Sequence, residues 1–263
     1  MSHPLVAQLR SADAAERAVA CRAVASDPAG ALLAEAVIEA LGDADKRVAR
    51  AASEALVALA RSASGDGVVP LIRRALRHES PRVRVQAALL LARLEPPEAS
   101  LLPALVEGLA APAGDLRWSA ARVLVDMGRI HGEIVRVLLG LVRGGEAPAV
   151  RRMATFCLRE LAPDQPAAAQ ALLEASRDDD THVRRAALTA MAGLLDPPAQ
   201  VVARLGEALD DADASSAGLA ALALGELGAR DALPRLRALA VSARTPALRQ
   251  AAQASVTRME ARQ

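Results

Sequence analysis

VVPLIRRALRHESPRVRVQAALLLARL, residues 68–94, contains two apolar helical patterns separated by a short polar turn. In the second pattern the apolar residues are Val83, Ala87, Leu91 and Leu94. Their offsets of 0, 4, 8 and 11 lie within about 80° of one another on a helix of 3.6 residues per turn. The segment therefore predicts a hairpin of two amphipathic helices, with one apolar stripe on the second helix.

The second-helix pattern recurs along the whole chain every 32 to 35 residues. We call its first apolar residue the anchor; the anchors are Val48, Val83, Leu116, Val150, Val183 and Leu248, with degenerate copies at Glu16 and Ser216. Four residues after each anchor stands Ala20, Ala52, Ala87, Ala120, Ala154, Ala187, Ala220 or Ala252. A methyl group at mid-helix permits the short end of the roughly 8–10 Å spacing between packed helices. A fixed period of this length predicts a stack of hairpins, each covering the apolar stripe of its neighbour.

Helix starts are marked at the same place in six copies. Three residues before the anchor stand Asp13, Asp45, Ser80, Asp180, Asp213 and Thr245. All six are residue types that accept a hydrogen bond from the first turn of a helix. The predicted repeats are 4–28, 30–62, 68–95, 100–129, 133–162, 167–195, 199–229 and 231–260, within one all-α domain spanning 1–263.

Composition argues against several classes of function. The chain has a formal charge of +1, so no global electrostatic field attracts nucleic acid or an anionic membrane. It contains one Trp, one Phe and no Tyr. Cys21 and Cys157 predict no disulfide or zinc site, and the four histidines have no metal-binding spacing. We find neither a signal peptide nor an apolar run of about 18–20 residues, and we expect a cytoplasmic monomer without cofactor or metal. No nucleophile or phosphate-loop motif is present in the sequence, so we expect no enzymatic activity.

Segment 68–94 resembles the short bacterial HEAT repeat, also called the phycobilin-lyase-type repeat, and the resemblance extends over nearly the whole chain. It implies a right-handed α-solenoid, an α-α superhelix of about eight HEAT-like hairpins, with the second helices on the concave face. It also implies a structural ladder between repeats, formed by Asp45 and Asp180 with Arg84, Arg117, Arg151, Arg184 and Arg249. Contact of these arginines with a ligand is the alternative interpretation.

Positions two and nine residues past the anchor point away from the apolar stripe, at about 180–200° on the helical wheel. Copies four to six place there Trp118, Arg152, Arg159 and Arg185, flanked by Arg122. Trp and Arg are the residue types that most often dominate binding energy at interfaces. We therefore predict that this band binds a partner. Trp118 folded over the stem of Arg152 or Arg122 is the alternative, and Phe156 is expected in the core.

Three functional hypotheses follow from these observations. The favoured one is a non-enzymatic scaffold or adaptor that binds a protein or peptide on its concave face. The alternatives that the resemblance implies are a nucleic-acid-binding HEAT solenoid, similar to the DNA-repair glycosylases of this fold, and a phycobilin-lyase-like enzyme subunit. His78-Glu79 is similar to the His-Glu motifs of HEAT-fold di-iron hydroxylases, but that family needs several such pairs and the chain has one.

Overall fold

A computed structural model describes residues 3–62, 67–144, 147–163, 166–195 and 197–261. These residues form α-helices joined by turns and short 3-10 helices, with no strand among them. The chain divides into two compact units, Met1–Leu124 and Val125–Gln263. Each unit is a stack of helical hairpins.

The first unit contains helices α1 to α7 and the start of α8. Their bounds are α1 Pro4–Leu9, α2 Ala14–Ala25, α3 Ala34–Ala40, α4 Lys46–Ala60, α5 Val68–Arg74, α6 Pro81–Leu94, α7 Leu102–Leu109 and α8 Gly114–Ile130. Odd-numbered helices are the first helices of the hairpins, and even-numbered ones are the second helices. Within this unit α2 packs on α4 and α4 on α6, while α1 packs on α3 and α3 on α5.

The second unit contains the end of α8 and helices α9 to α16. Their bounds are α9 Gly132–Arg143, α10 Pro148–Leu161, α11 Pro166–Ala175, α12 Thr181–Ala192, α13 Ala199–Ala208, α14 Ala214–Leu227, α15 Leu233–Ser242 and α16 Pro246–Glu260. The second helices α10, α12, α14 and α16 pack in sequence, as do the first helices α9, α11 and α13. Both units therefore have the two layers that stacked hairpins produce.

The core lies between the two layers, and the alanine column occupies its tightest positions. All eight alanines four residues after an anchor have an exposed fraction of 0%. Ala120 shows the reason, because its methyl group lies only 2.7 Å from the point where a Cβ on Gly108 would stand. Helices α7 and α8 thus approach so closely that only small residues fit between them, as the sequence pattern predicts.

Five of the six proposed capping residues accept a hydrogen bond from the first turn of their helix. These are Asp13, Asp45, Asp180, Asp213 and Thr245. Ser80 differs from the prediction: it stands at the cap position of α6, but its side chain makes no capping bond. Its backbone N–H instead donates to Nδ1 of His78, at 3.0 Å.

Candidate functional site

Arginines one residue past the anchor join successive repeats. In four repeats the guanidinium donates two hydrogen bonds, from Nε and Nη2, to a carboxylate of the next repeat. The pairs are Arg17–Asp43, Arg84–Glu107, Arg151–Asp178 and Arg184–Asp211. In Arg17, Arg84 and Arg184, Nη1 also donates to backbone carbonyls of the preceding turn. These side chains are committed to holding the stack together, which is the role that a ladder requires.

The acidic half of the ladder differs from the expected one. Asp45 and Asp180 cap their own helices, and Asp45 pairs with Arg47 of the same helix at 2.7 Å. The ladder carboxylate stands two residues earlier in three of the four pairs, where one oxygen also accepts the N–H of the capping residue, at 2.8 Å each time. A carboxylate in that position faces the preceding repeat, whereas Asp45 and Asp180 bond to their own helices. The signal in the sequence is an Asp-x-Asp motif, present at 43–45, 178–180 and 211–213.

Two of the expected ladder arginines bond only to backbone. Arg117 donates to the carbonyl of Ala111 at 2.9 Å, and Arg249 donates to that of Ala243 at 2.8 Å. Neither has an acidic partner among the described residues. Within that part of the chain, the buried Nε of Arg117 has no hydrogen-bond partner.

Ion pairing keeps the ladder carboxylates charged. Hydrogen bonds from Arg17 lower the pKa of Asp43 below its ordinary value of 3.8. Partial burial raises the pKa of Asp178, but the hydrogen bonds from Arg151 and from the N–H of Asp180 outweigh this effect, and the net shift is downward. The stack is therefore stabilised while these groups are ionised.

In the second unit, the arginines predicted to bind a partner are largely occupied. Arg185 donates two hydrogen bonds, of 2.8 and 2.7 Å, to Asp213 of the next repeat. Arg159 bonds to Glu160 and lies 4.7 Å from the ring centroid of the half-buried Phe156. Of these three predicted arginines, Arg152 alone forms no hydrogen bond or ion pair within the described ranges. The helical wheel directed Arg185 away from the apolar stripe and toward a partner, but the side chain instead meets Asp213 of the next repeat.

The first unit exposes its predicted residues to a greater extent. Trp118 on α8 is 49% exposed, and Arg122, one turn further along, is exposed and forms no ion pair with any described residue. Preceding second helices carry further exposed arginines at offsets 6 and 10 from the anchor, which are Arg22 and Arg93. Sequence reasoning applied offsets 2 and 9 and, at offset 6, named only Arg122, so it missed both. We call the solvent-exposed side of α2, α4, α6 and the start of α8 the second-helix face.

An ion pair links alternate repeats at the starts of their second helices. Nζ of Lys46, at the start of α4, lies 3.3 Å from Oδ2 of Asp115, at the start of α8. The starts of α4 and α8 therefore lie within reach of one another on the second-helix face.

The first-helix side of the same unit carries a groove of about 640 Å³. Its apolar floor includes Leu76 and Pro103, and three arginines, Arg73, Arg74 and Arg77, line it. Arg73 is paired with Glu95 and Glu98, and Arg74 is paired with Glu35. Acidic neighbours thus balance most of the positive charge at this groove.

The two thiols are poorly suited to chemistry. Burial raises the pKa of Cys21 to about 11 and that of Cys157 to about 12, so both are protonated at neutral pH. Among the described residues, no three His, Cys, Asp or Glu side chains are grouped as a metal site would require. No described helix combines the length and apolarity needed to cross a membrane.

Paired helices, buried alanines and arginine links between repeats define an α-solenoid of repeated hairpins. Models of the HEAT repeat match residues 34–125, 102–192 and 170–257. The chain therefore belongs to the HEAT-repeat family.

Two solved structures, those of Kap95p and YibA, support the fold. Kap95p, in a structure with RanGDP, matches with a TM-score of 0.60 and 14% identity over 97% of this chain, which spans 39% of Kap95p. YibA of Escherichia coli matches with a TM-score of 0.57 and 19% identity, over 97% of this chain and 91% of that one. Human deoxyhypusine hydroxylase matches with a TM-score of 0.42 and 19% identity, over 98% and 95% of the two chains. No curated protein matches the chain.

Proposed function

We propose that this HEAT-repeat chain is a non-enzymatic scaffold or adaptor, and that it binds a protein or peptide partner on the second-helix face of its first unit. The observation that carries the proposal is the 49% exposure of Trp118 on that face. A large aromatic side chain that remains half in water loses that unfavourable hydration when a partner covers it. Trp118 is therefore the natural centre of an interface.

The state of the arginines supports the same face. Arginines of the ladder, and Arg185 with them, are held by carboxylates of neighbouring repeats. A partner that recruited them would have to break these bonds, which stabilise the stack. Arg122 has no such commitment within the described residues and lies next to Trp118 on α8. Trp and Arg together are the usual composition of a binding hot spot.

Kap95p, a protein of similar fold, forms a complex with RanGDP, which shows that stacked hairpins can present a protein-binding surface. The proposal for this chain rests on its own residues. It does not transfer the partner of Kap95p.

Affinity capture from a lysate of the source organism tests the proposal. The bait is the full chain in three forms: wild type, the Trp118→Ala/Arg122→Glu double variant, and Arg77→Glu as a matched control on the first-helix side. We expect the same partner to be retained by wild type and control, and to be lost with the double variant. Helix content measured by circular dichroism should be equal for all three, because all substituted side chains are exposed. Equal retention by the double variant, or retention of no protein by wild type, would overturn the proposal.

A further inference from the structure

The exposed charges of the first unit are sorted between its two layers. Exposed arginines lie on the second helices or directly after them, on the side away from the core: Arg22, Arg50, Arg93 and Arg122 on the helices, and Arg61 at the C-cap of α4. Two exposed glutamates lie on the same helices: Glu16, which accepts a hydrogen bond from Ser11, and Glu54, which pairs with Arg50 four residues earlier. On the first-helix side, by contrast, Arg73 and Arg74 face three glutamates. The second-helix face thus has a local positive excess that the near-neutral total charge conceals.

Several other charges near this face are paired with one another. At the helix starts, Lys46 pairs with Asp115, and Arg47 pairs with Asp45. Further along α8, Asp126 pairs with Arg129. These pairs are neutral overall, so they do not cancel the excess.

Apolar groups lie between the positive ones. Leu89 on α6 is half-buried and stands between Arg50 on α4 and Arg122 on α8 in the order of the second helices. Trp118 is half exposed on α8, one turn from the exposed Arg122. Arg93 makes only a weak 3.5 Å bond, to Ser53 of α4. A ligand for this surface must therefore carry negative charge on both sides of an apolar group.

We propose that the second-helix face of the first unit binds an extended acidic peptide segment that has an apolar side chain near its middle. The inference rests on the proposed function and specifies the chemistry of the partner. Arg22 and Arg122 are separated by three repeats, or about 30 Å at the usual helix spacing. An extended chain covers that distance with about nine residues.

A single-stranded nucleic acid fits the same observations less well. Binding of single strands usually relies on several aromatic side chains that stack with successive bases. On this face Trp118 is the one aromatic side chain that the described residues provide. Carboxylates spaced along a peptide match separate arginines, which bind them through paired hydrogen bonds.

Fluorescence anisotropy of the full chain tests the proposal with a labelled peptide of about nine residues, in which Glu and Asp flank a central Leu. Probes for comparison are the same peptide with Gln and Asn in place of the acids, and oligothymidylate of equal charge. Because Trp118 is the single Trp and the chain has no Tyr, its intrinsic emission reports independently whether the ligand covers this face.

We expect the acidic peptide to bind at about 20 mM salt, to weaken at about 150 mM, and to shift the Trp118 emission. Arg93→Glu/Arg122→Glu should weaken binding at least about tenfold, which corresponds to about 1.4 kcal/mol, whereas Arg77→Glu should leave it unchanged. The inference is wrong if the amide peptide binds equally well, if Arg77→Glu weakens binding as much as the double variant, or if oligothymidylate binds more tightly. Failure of the acidic peptide, while lysate capture still depends on Trp118, would reject this chemistry and leave the proposed function standing.

Discussion

Substitution of Gly225 by alanine measures how closely second helices pack in the second unit. An added Cβ would lie 2.6 Å from Cβ and 2.8 Å from Cα of Ser255 on α16. The Cα belongs to the backbone, so no rotation of a side chain relieves the clash. Alanine improves helix propensity by up to about 1 kcal/mol, whereas overpacking of a tight interior costs about 1–3 kcal/mol. Because the contact is with backbone, we take the upper end of the overpacking cost. We therefore expect Gly225→Ala to lower the free energy of unfolding by about 2 kcal/mol.

Gly140 provides the matched control for this prediction. It lies in α9, is exposed, and an added Cβ would meet no atom within 4 Å. Gly140→Ala should therefore stabilise the chain by about 0.5–1 kcal/mol through propensity alone. Urea unfolding of both variants, with hydrogen exchange of α16 to localise the effect, gives the comparison. If Gly225→Ala equals or exceeds wild type in stability, the described packing of α14 on α16 is incorrect.

Three further predictions concern the ladder and the core. Arg184→Met removes four hydrogen bonds, two of them to Asp211. In a urea titration it should lower the free energy of unfolding by about 2 kcal/mol. The control, Arg152→Met, should change that free energy by less than about 0.5 kcal/mol. Hydrogen bonds from Arg185 lower the pKa of Asp213 far below its ordinary value of 3.8. The stabilisation that ionised Asp213 provides is therefore complete above pH 3.8 and is lost as the pH falls below that value. Thermal unfolding between about pH 5 and pH 2 should show this loss, and Asp213→Asn should make the unfolding temperature less dependent on pH. Ala187→Leu forces three carbon atoms into a site with no exposure and should cost about 3 kcal/mol, and a variant as stable as wild type in urea would contradict the packing role of the alanine column.

The fold could be predicted from the sequence because burial imposes a period. Leu124, Leu158 and Leu224, eight residues past their anchors, are fully buried, as are the alanines four residues past the anchors. A position that must be small or apolar in each copy leaves a visible column in the sequence. Helix starts were also predictable, since a capping side chain bonds within its own helix and depends little on tertiary structure.

The candidate site was less predictable because its partners come from other repeats. Whether Arg185 is available for binding depends on Asp213, which lies 28 residues later and meets it only in the folded stack. The helical wheel gives the direction of a side chain but does not show what the next hairpin places opposite it. Trp118 and Arg122, by contrast, are exposed on α8.

Ladder carboxylates could have been found by a different reading of the same motif. Asp43 and Asp45 both stand in the turn, but only Asp45 caps the helix. The repeated Asp-x-Asp pattern assigns the second aspartate to the cap, because that residue stands three before the anchor. The first aspartate is then the one left for Arg17.

Site-specific photo-crosslinking tests most directly whether the second-helix face of the first unit is the working surface of this protein. A benzophenone amino acid would replace Arg122 in one form of the full chain and Arg77 in another, and each form would be irradiated with the captured partner or the acidic peptide. We expect a covalent adduct from position 122 and none from position 77. An adduct at position 77 alone, or equal adducts at both positions, would contradict the assignment of function to this face.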